Sequence, residues 1–260
     1  MADGVSAITS PPNFEPDRLE AFSASLSGKA KPDDTGGKHG RPFGEGLPGV
    51  AVDRLPTGLV PRSTVMALAS DLEVGTATVC AAAMAWGGMR MHHRNMAFCS
   101  PHAGEWLAVA DRLRTGRLAR AEGYEAFRAL RTASKLKGMG PAYFTKLIYF
   151  LMPRDGSPHL PGFIMDQWAG CSVNVLMGRE IVLMDSTGTW KRKRKELKKT
   201  YSFRVSDINT GEDYEAFCAT VDRLASYFGK SGDEIDRALL SDGGRAPAEW
   251  RRYVMEYRRA

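Results

Sequence analysis

A tight turn at residues 138–141 constrains this chain more than any other feature. Glu122–Lys135 repeats apolar residues at three-and-four spacing, Leu136-Lys137-Gly138-Met139-Gly140 breaks the pattern, and Pro141 opens a second helix running to Met152. Proline suits a first helical position, where its missing N–H costs nothing. The second helix contains Tyr143-Phe144-Thr145-Lys146-Leu147-Ile148-Tyr149-Phe150-Leu151-Met152, in which Thr145 and Lys146 interrupt an otherwise apolar run. A helix apolar all round is covered on all sides. Lys146 therefore either projects into an enclosed space or snorkels past its aromatic neighbours to water. In an enclosed space, desolvation lowers a lysine pKa and makes the amine a nucleophile.

The rest of the chain is read as mostly α. Helical periodicity begins at Ser63, a candidate cap, and continues through Asp71–Ala85, Trp106–Leu118, Gln167–Met177, Tyr214–Phe228 and Ala246–Tyr257. Glu180–Asp185 is the one β-branched run, too short to build a sheet. Residues 1–62, rich in Gly and Pro, read as an extended N-terminal arm with one short helix near Arg18–Leu26. Residues 63–260 are the helical domain. The arm's GGKHGRPFGEG stretch lacks a GK[ST] ending and a preceding strand, so it is a poor phosphate loop.

Composition removes whole classes. Of 260 residues, 43% are hydrophobic and 25% charged, as in soluble globular proteins. No apolar run reaches the roughly 18 residues that span a bilayer. The N-terminus lacks the basic flank and apolar core of a secretory signal. Cys80, Cys99, Cys171 and Cys218 lie far apart with no CxxC pair, which argues against a zinc ribbon, a disulfide scaffold or a cysteine-ligated cluster. A cytoplasmic location, no membrane, no metal and no cofactor are expected.

Charge points toward an anionic partner. The chain carries 36 Lys+Arg against 30 Asp+Glu, a net +6. Lys191-Arg192-Lys193-Arg194-Lys195-Glu196-Leu197-Lys198-Lys199 is itself +6, so the remainder is formally neutral. Such a stripe suits a phosphate backbone; a solvated helix face or loop, or a nuclear-import signal, are the other readings. The turn at Gly138 and Gly140, followed by the free N–H groups of a helix start, can hold a phosphate as well, with Lys137 beside it. It can equally be a steric requirement of the turn.

Pro161-Gly162-Phe163-Ile164-Met165-Asp166-Gln167-Trp168 places a carboxylate between an apolar segment and a helix. Asp166 can cap that helix and, in the same place, face a developing positive charge. A loop after Trp86 carries His92, His93, Arg94 and Asn95. It reads as a probe for bases, since Arg and Asn hydrogen-bond base edges; a metal reading lacks a third ligand.

The hairpin at 136–140 and the segment 161–166 resemble the helix-hairpin-helix DNA glycosylase superfamily, nearest its 8-oxoguanine branch and its compact prokaryotic versions. That resemblance implies a two-lobed helical fold, duplex DNA across a cleft, a flipped base and an aspartate that assists cleavage of the N-glycosidic bond. The branch places its catalytic lysine two residues after the second hairpin glycine, where this chain has Ala142; Lys146, one turn on, is expected to take the role here. Tyr143, Phe150, Gln167 and Trp168 flank Lys146 and Asp166 and are expected to line the base pocket; packing is the other role for each. Lys137, Gly138, Gly140, His93, Arg94, Asn95, Lys191, Arg192, Lys193 and Arg194 are expected to contact DNA. The substrate expected first is glucosylated hydroxymethylcytosine in phage DNA, acted on by a monomer in antiviral defence. The alternatives are 8-oxoguanine repair with strand cleavage, a non-catalytic DNA-binding module, and a helical protein with an acidic partner.

Overall fold

A computed structural model of the chain describes residues 14–26, 35–193, 196–241 and 247–258. The described residues are mostly helical, with two small two-stranded sheets. Helix α1 (Pro16–Leu26) is followed by β1 (Thr35–His39), the single turn α2 (Gly40–Gly44), β2 (Leu59–Pro61) and α3 (Arg62–Ser70). Then come α4 (Thr76–Trp86), α5 (Met91–Phe98), α6 (Ala103–Arg114), α7 (Arg120–Thr132), α8 (Pro141–Leu151) and α9 (Gln167–Met177). Strands β3 (Met184–Lys193) and β4 (Glu196–Val205) form a hairpin, and α10 (Gly211–Phe228), α11 (Gly232–Leu240) and α12 (Glu249–Tyr257) complete the order.

The centre of the first helical group is α4. Its Ala-rich sequence leaves no polar face, and every residue from Thr78 to Ala85 is buried. Small side chains let α2, α3, α6 and α8 approach it closely. A second group forms where α9 meets α10, α11 and α12, with α1 laid against α9 and α12. Helices α7 and α8 connect the groups: α7 packs on α10 and on α8, and α8 packs on α4. The helix–turn–helix at 138–141 therefore stands where the two groups meet.

The extended-arm reading of residues 1–62 is corrected. Helix α1 is present as expected, but Phe43, Leu47, Leu55 and Val60 are buried in the body of the protein. Arg94 holds this segment by donating to the carbonyls of Phe43 (2.6 Å) and Glu45 (3.1 Å). Aperiodic hydrophobic residues buried by short turns give no helical or strand pattern, so composition alone pointed to an arm. Residues 1–13 and 27–34 of that expectation lie outside the described residues.

Other boundaries move. The helix expected over Asp71–Ala85 starts at Thr76, and α3 is preceded by Pro61 with no side-chain cap, so Ser63 does not cap it. The residues after Trp86 form a short loop and then α5, which contains His92, His93, Arg94 and Asn95. The largest difference is the β3–β4 hairpin. Its ten-residue strands lie almost wholly beyond the Glu180–Asp185 run. Cross-strand pairing sustains them, and among the residues whose side chains are described Phe203 and Val205, at the base, are the buried ones. Residues 186–190 and 200–202 are exposed, and strands held by pairing there need no apolar run.

Candidate active site

The turn between α7 and α8 is built as its residues dictate. Gly138 has φ +78°, and a Cβ there would lie 2.6 Å from the carbonyl oxygen of His93, so no larger residue fits without a shift. Gly140 caps α8 and Pro141 occupies its first turn. Arg131 of α7 donates to the carbonyl of Met139 (3.3 Å) and pairs with Asp207, its Nε lying 2.6 Å from Oδ1. One guanidinium thus fixes both the turn and the loop after β4.

Lys146 lies one helical turn beyond Ala142. Its side chain is 8% exposed, and its Nζ donates to the Ala142 carbonyl at 2.7 Å. The aliphatic stem passes Gly87, where a Cβ would come within 2.8 Å of Lys146 Cδ. Glycine at 87 is what leaves room for this lysine. Burial pushes the ammonium below the usual lysine range; Asp166 and Asp236 act in the opposite sense, and Arg62 reinforces the depression. The Tyr143 ring centroid lies 5.9 Å from Nζ.

Asp166 caps α9 as expected: its Oδ1 accepts from the backbone N–H of Trp168 (2.7 Å) and Ala169 (3.1 Å). The buried segment before it is held from three sides. Tyr214 Oη accepts from Phe163 N at 3.1 Å, Asp236 Oδ1 from Ile164 N at 2.9 Å, and Thr145 Oγ1 from Met165 N at 3.2 Å. Thr145 immediately precedes Lys146, so one hydroxyl sets the spacing between the lysine's helix and the aspartate's loop. Asp236 is itself buried against Arg62 (3.3 Å), and burial raises its carboxyl to about 6.

Lys146 and Asp166 line one cleft of about 660 Å³. Its walls come from α5 (His92, His93, Met96), the turn (Gly138, Gly140, Ala142, Tyr143), Gln167 and Trp168 of α9, and the base of β4 (Phe203, Arg204, Val205). With its amide oriented to satisfy both neighbours, Gln167 accepts from Trp168 Nε1 (2.8 Å) and donates to the Phe203 carbonyl (2.5 Å). Arg251 stacks over the Trp168 ring at 3.6 Å, so that ring is partly occupied by packing.

Most of the expected pocket is therefore assembled, with named exceptions. Phe150 does not line the cleft; it is 1% exposed and meets Trp86 edge-on at 5.0 Å. It shares a helix face with Lys146, but the Trp86 side chain fills the space in front of it. Arg94 is buried, bonded to backbone carbonyls and to Asn95 Oδ1 (2.8 Å), which removes it as a base probe. Lys137 and Asn95 are exposed outside the cleft, and His93 lines it. Lys191, Arg192 and Lys193 belong to strand β3, whereas Arg194 lies outside the described residues. Sequence reasoning missed Gly87, Arg131, Phe203 and Arg204. Three of these lack any local signal, while the Trp86-Gly87-Gly88 step marked the end of a helix without showing what approached it.

A mostly helical chain whose helix–turn–helix and capping aspartate enclose a lysine-bearing cleft defines the class of the helix-hairpin-helix DNA glycosylases. The family model described as "Putative 8-oxoguanine DNA glycosylase OGG-like protein" matches residues 29–240, and the chain belongs to that family. No curated protein and no solved structure matches it. Among the described residues, no helix is long and apolar enough to cross a membrane.

Proposed function

We propose that this DNA glycosylase excises a modified base from duplex DNA, with Lys146 as nucleophile and Asp166 as the assisting carboxylate. The observation that carries this reading is the meeting of a desolvated lysine and a carboxylate in one cleft beside the hairpin. A flipped nucleotide would enter between α5, Tyr143 and the base of β4, its unstacking cost offset by contacts with the wall. His93 lines this cleft, and its buried Nδ1 has no hydrogen-bond partner among the described residues.

The neutral Lys146 amine forms a bond to the anomeric carbon as the bond from that carbon to the base breaks. The base leaves with the electron pair and takes up a proton. Asp166 faces the positive charge that develops on the sugar and accepts a proton from the attacking amine. Ring opening then yields an iminium linkage between Lys146 and the sugar, from which strand cleavage can follow. The backbone N–H groups of Trp168 and Ala169, which donate to its Oδ1, hold its carboxylate in one orientation for this role.

For the substrate, we favour a bulky modified cytosine, glucosylated hydroxymethylcytosine in phage DNA, with antiviral defence as the role. The supporting observation is that Ala142, not a lysine, lines the cleft beside the turn, while Lys146 folds back on the Ala142 carbonyl. The family's description favours a second reading, excision of 8-oxoguanine in repair. Matched duplexes carrying each base, assayed for release of the free base, separate the two. Release of the glucosylated base is expected, and Asp166→Asn should lower it by at least a hundredfold while the variant stays folded, because Asn also caps helices. Release of 8-oxoguanine alone would assign the chain to repair.

A further inference from the structure

The β3–β4 hairpin is more than a wall of the cleft. Its register pairs Ser186 with Phe203, Gly188 with Tyr201 and Trp190 with Lys199. Positions two apart along a strand share a face, so Phe203, Tyr201 and Trp190 stand on successive rungs, about 6.8 Å apart. Phe203 is buried and lines the cleft, whereas Tyr201 and Trp190 are 41% and 63% exposed. The opposite face carries only small hydroxyls over the same rungs: Thr187 with Ser202, and Thr189 with Thr200. An aromatic row thus leaves the cleft and continues out along a thin ribbon.

That row leads into the most cationic segment of the chain, with seven basic residues and one acid over Lys191–Lys199. Flat rings at regular rungs followed by concentrated positive charge match the two needs of an unpaired nucleic-acid strand: faces on which bases stack, and cations for its phosphates. An acidic protein surface would use the charge but has no need of rings aligned with the cleft. Paired bases, in turn, have no free faces to offer Tyr201 and Trp190.

We propose that the β3–β4 hairpin is an arm that holds an unpaired stretch of the DNA strand next to the target nucleotide, stacking its bases on Tyr201 and Trp190. The inference rests on the DNA glycosylase reading of the adjoining cleft. It predicts that duplex DNA locally opened beside the target nucleotide is bound more tightly than a fully paired duplex. Both side chains are exposed, so the Trp190→Ala, Tyr201→Ala double variant should remain folded, as circular dichroism can verify.

The test is fluorescence anisotropy with two labelled duplexes, one fully paired and one with a central unpaired bubble. The parent should bind the bubble at least tenfold more tightly than the paired duplex. The double variant should lose at least tenfold on the bubble and less than threefold on the paired duplex, with an unchanged salt slope because no charge is removed. Bubble binding within twofold of the parent, or equal losses on both probes, would overturn the arm. Overturning it while base release persists leaves the glycosylase reading intact; failure of the parent to bind either probe would remove both.

Discussion

Lys146 sits where an ammonium is poorly solvated, and that has a consequence for stability as well as for chemistry. Its pKa in the folded chain is depressed by burial, below the value of about 10.4 for an unfolded lysine. The unfolded chain therefore binds the proton more tightly, and the charged side chain costs stability at every pH below its folded pKa. The cost fades as pH rises from the folded to the unfolded value. Lys146→Met, similar in shape and uncharged, should raise Tm at pH 7, by an amount that shrinks as pH approaches about 10.4. For a chain of this size, about 1 kcal/mol corresponds to ~2–4 °C. Thermal melts at pH 7 and pH 10 check this. A Met variant less stable than the parent at pH 7 would mean that the ammonium is well satisfied and is no nucleophile near neutrality.

The elements that local chemistry specifies were legible in the sequence. Helix α8 begins at Pro141 after a glycine-bearing turn, and α9 begins after the Asp166 cap, both where the pattern of residues places them. Elements held by distant partners were not legible. The hairpin depends on pairing across strands, and the segment from Gly40 to Pro61 depends on Arg94 reaching back to it. The same division runs through the site: Lys146, Asp166, Tyr143, Gly138 and Gly140 follow from one hairpin and one cap. Gly87 and Phe203 enter only when the end of α4 and strand β4 pack against the hairpin, and Arg131 only through its pairing with Asp207 after β4. The turn itself offers a test at this scale. Gly138→Ala adds a Cβ to a φ of +78° and directs it at the His93 carbonyl, so it should cost more than about 1 kcal/mol in a urea melt. Unchanged stability would mean that the turn relaxes freely and does not fix α5 against the start of α8.

At the scale of the molecule, two helical groups meet at α7 and α8, and the cleft opens at that junction. Its floor is buried apolar helix, Lys146 and Asp166 line it, and its outer wall is the foot of a ribbon whose sequence carries the net positive charge of the chain. The proposed mechanism separates binding and turnover in space: it assigns affinity to the cations of the hairpin and the chemical step to the residues of α8 and the α9 cap. The central claim is that the Lys146 amine becomes covalently joined to the sugar, and borohydride trapping measures this most directly, because hydride reduces the iminium to a stable amine. Parent protein incubated with duplex DNA carrying either candidate base, or an abasic site, should yield a protein–DNA adduct on reduction. Lys146→Gln should yield none while binding the same duplex within several-fold of the parent. An adduct formed by Lys146→Gln as readily as by the parent would contradict the assignment and place the nucleophile on another amine.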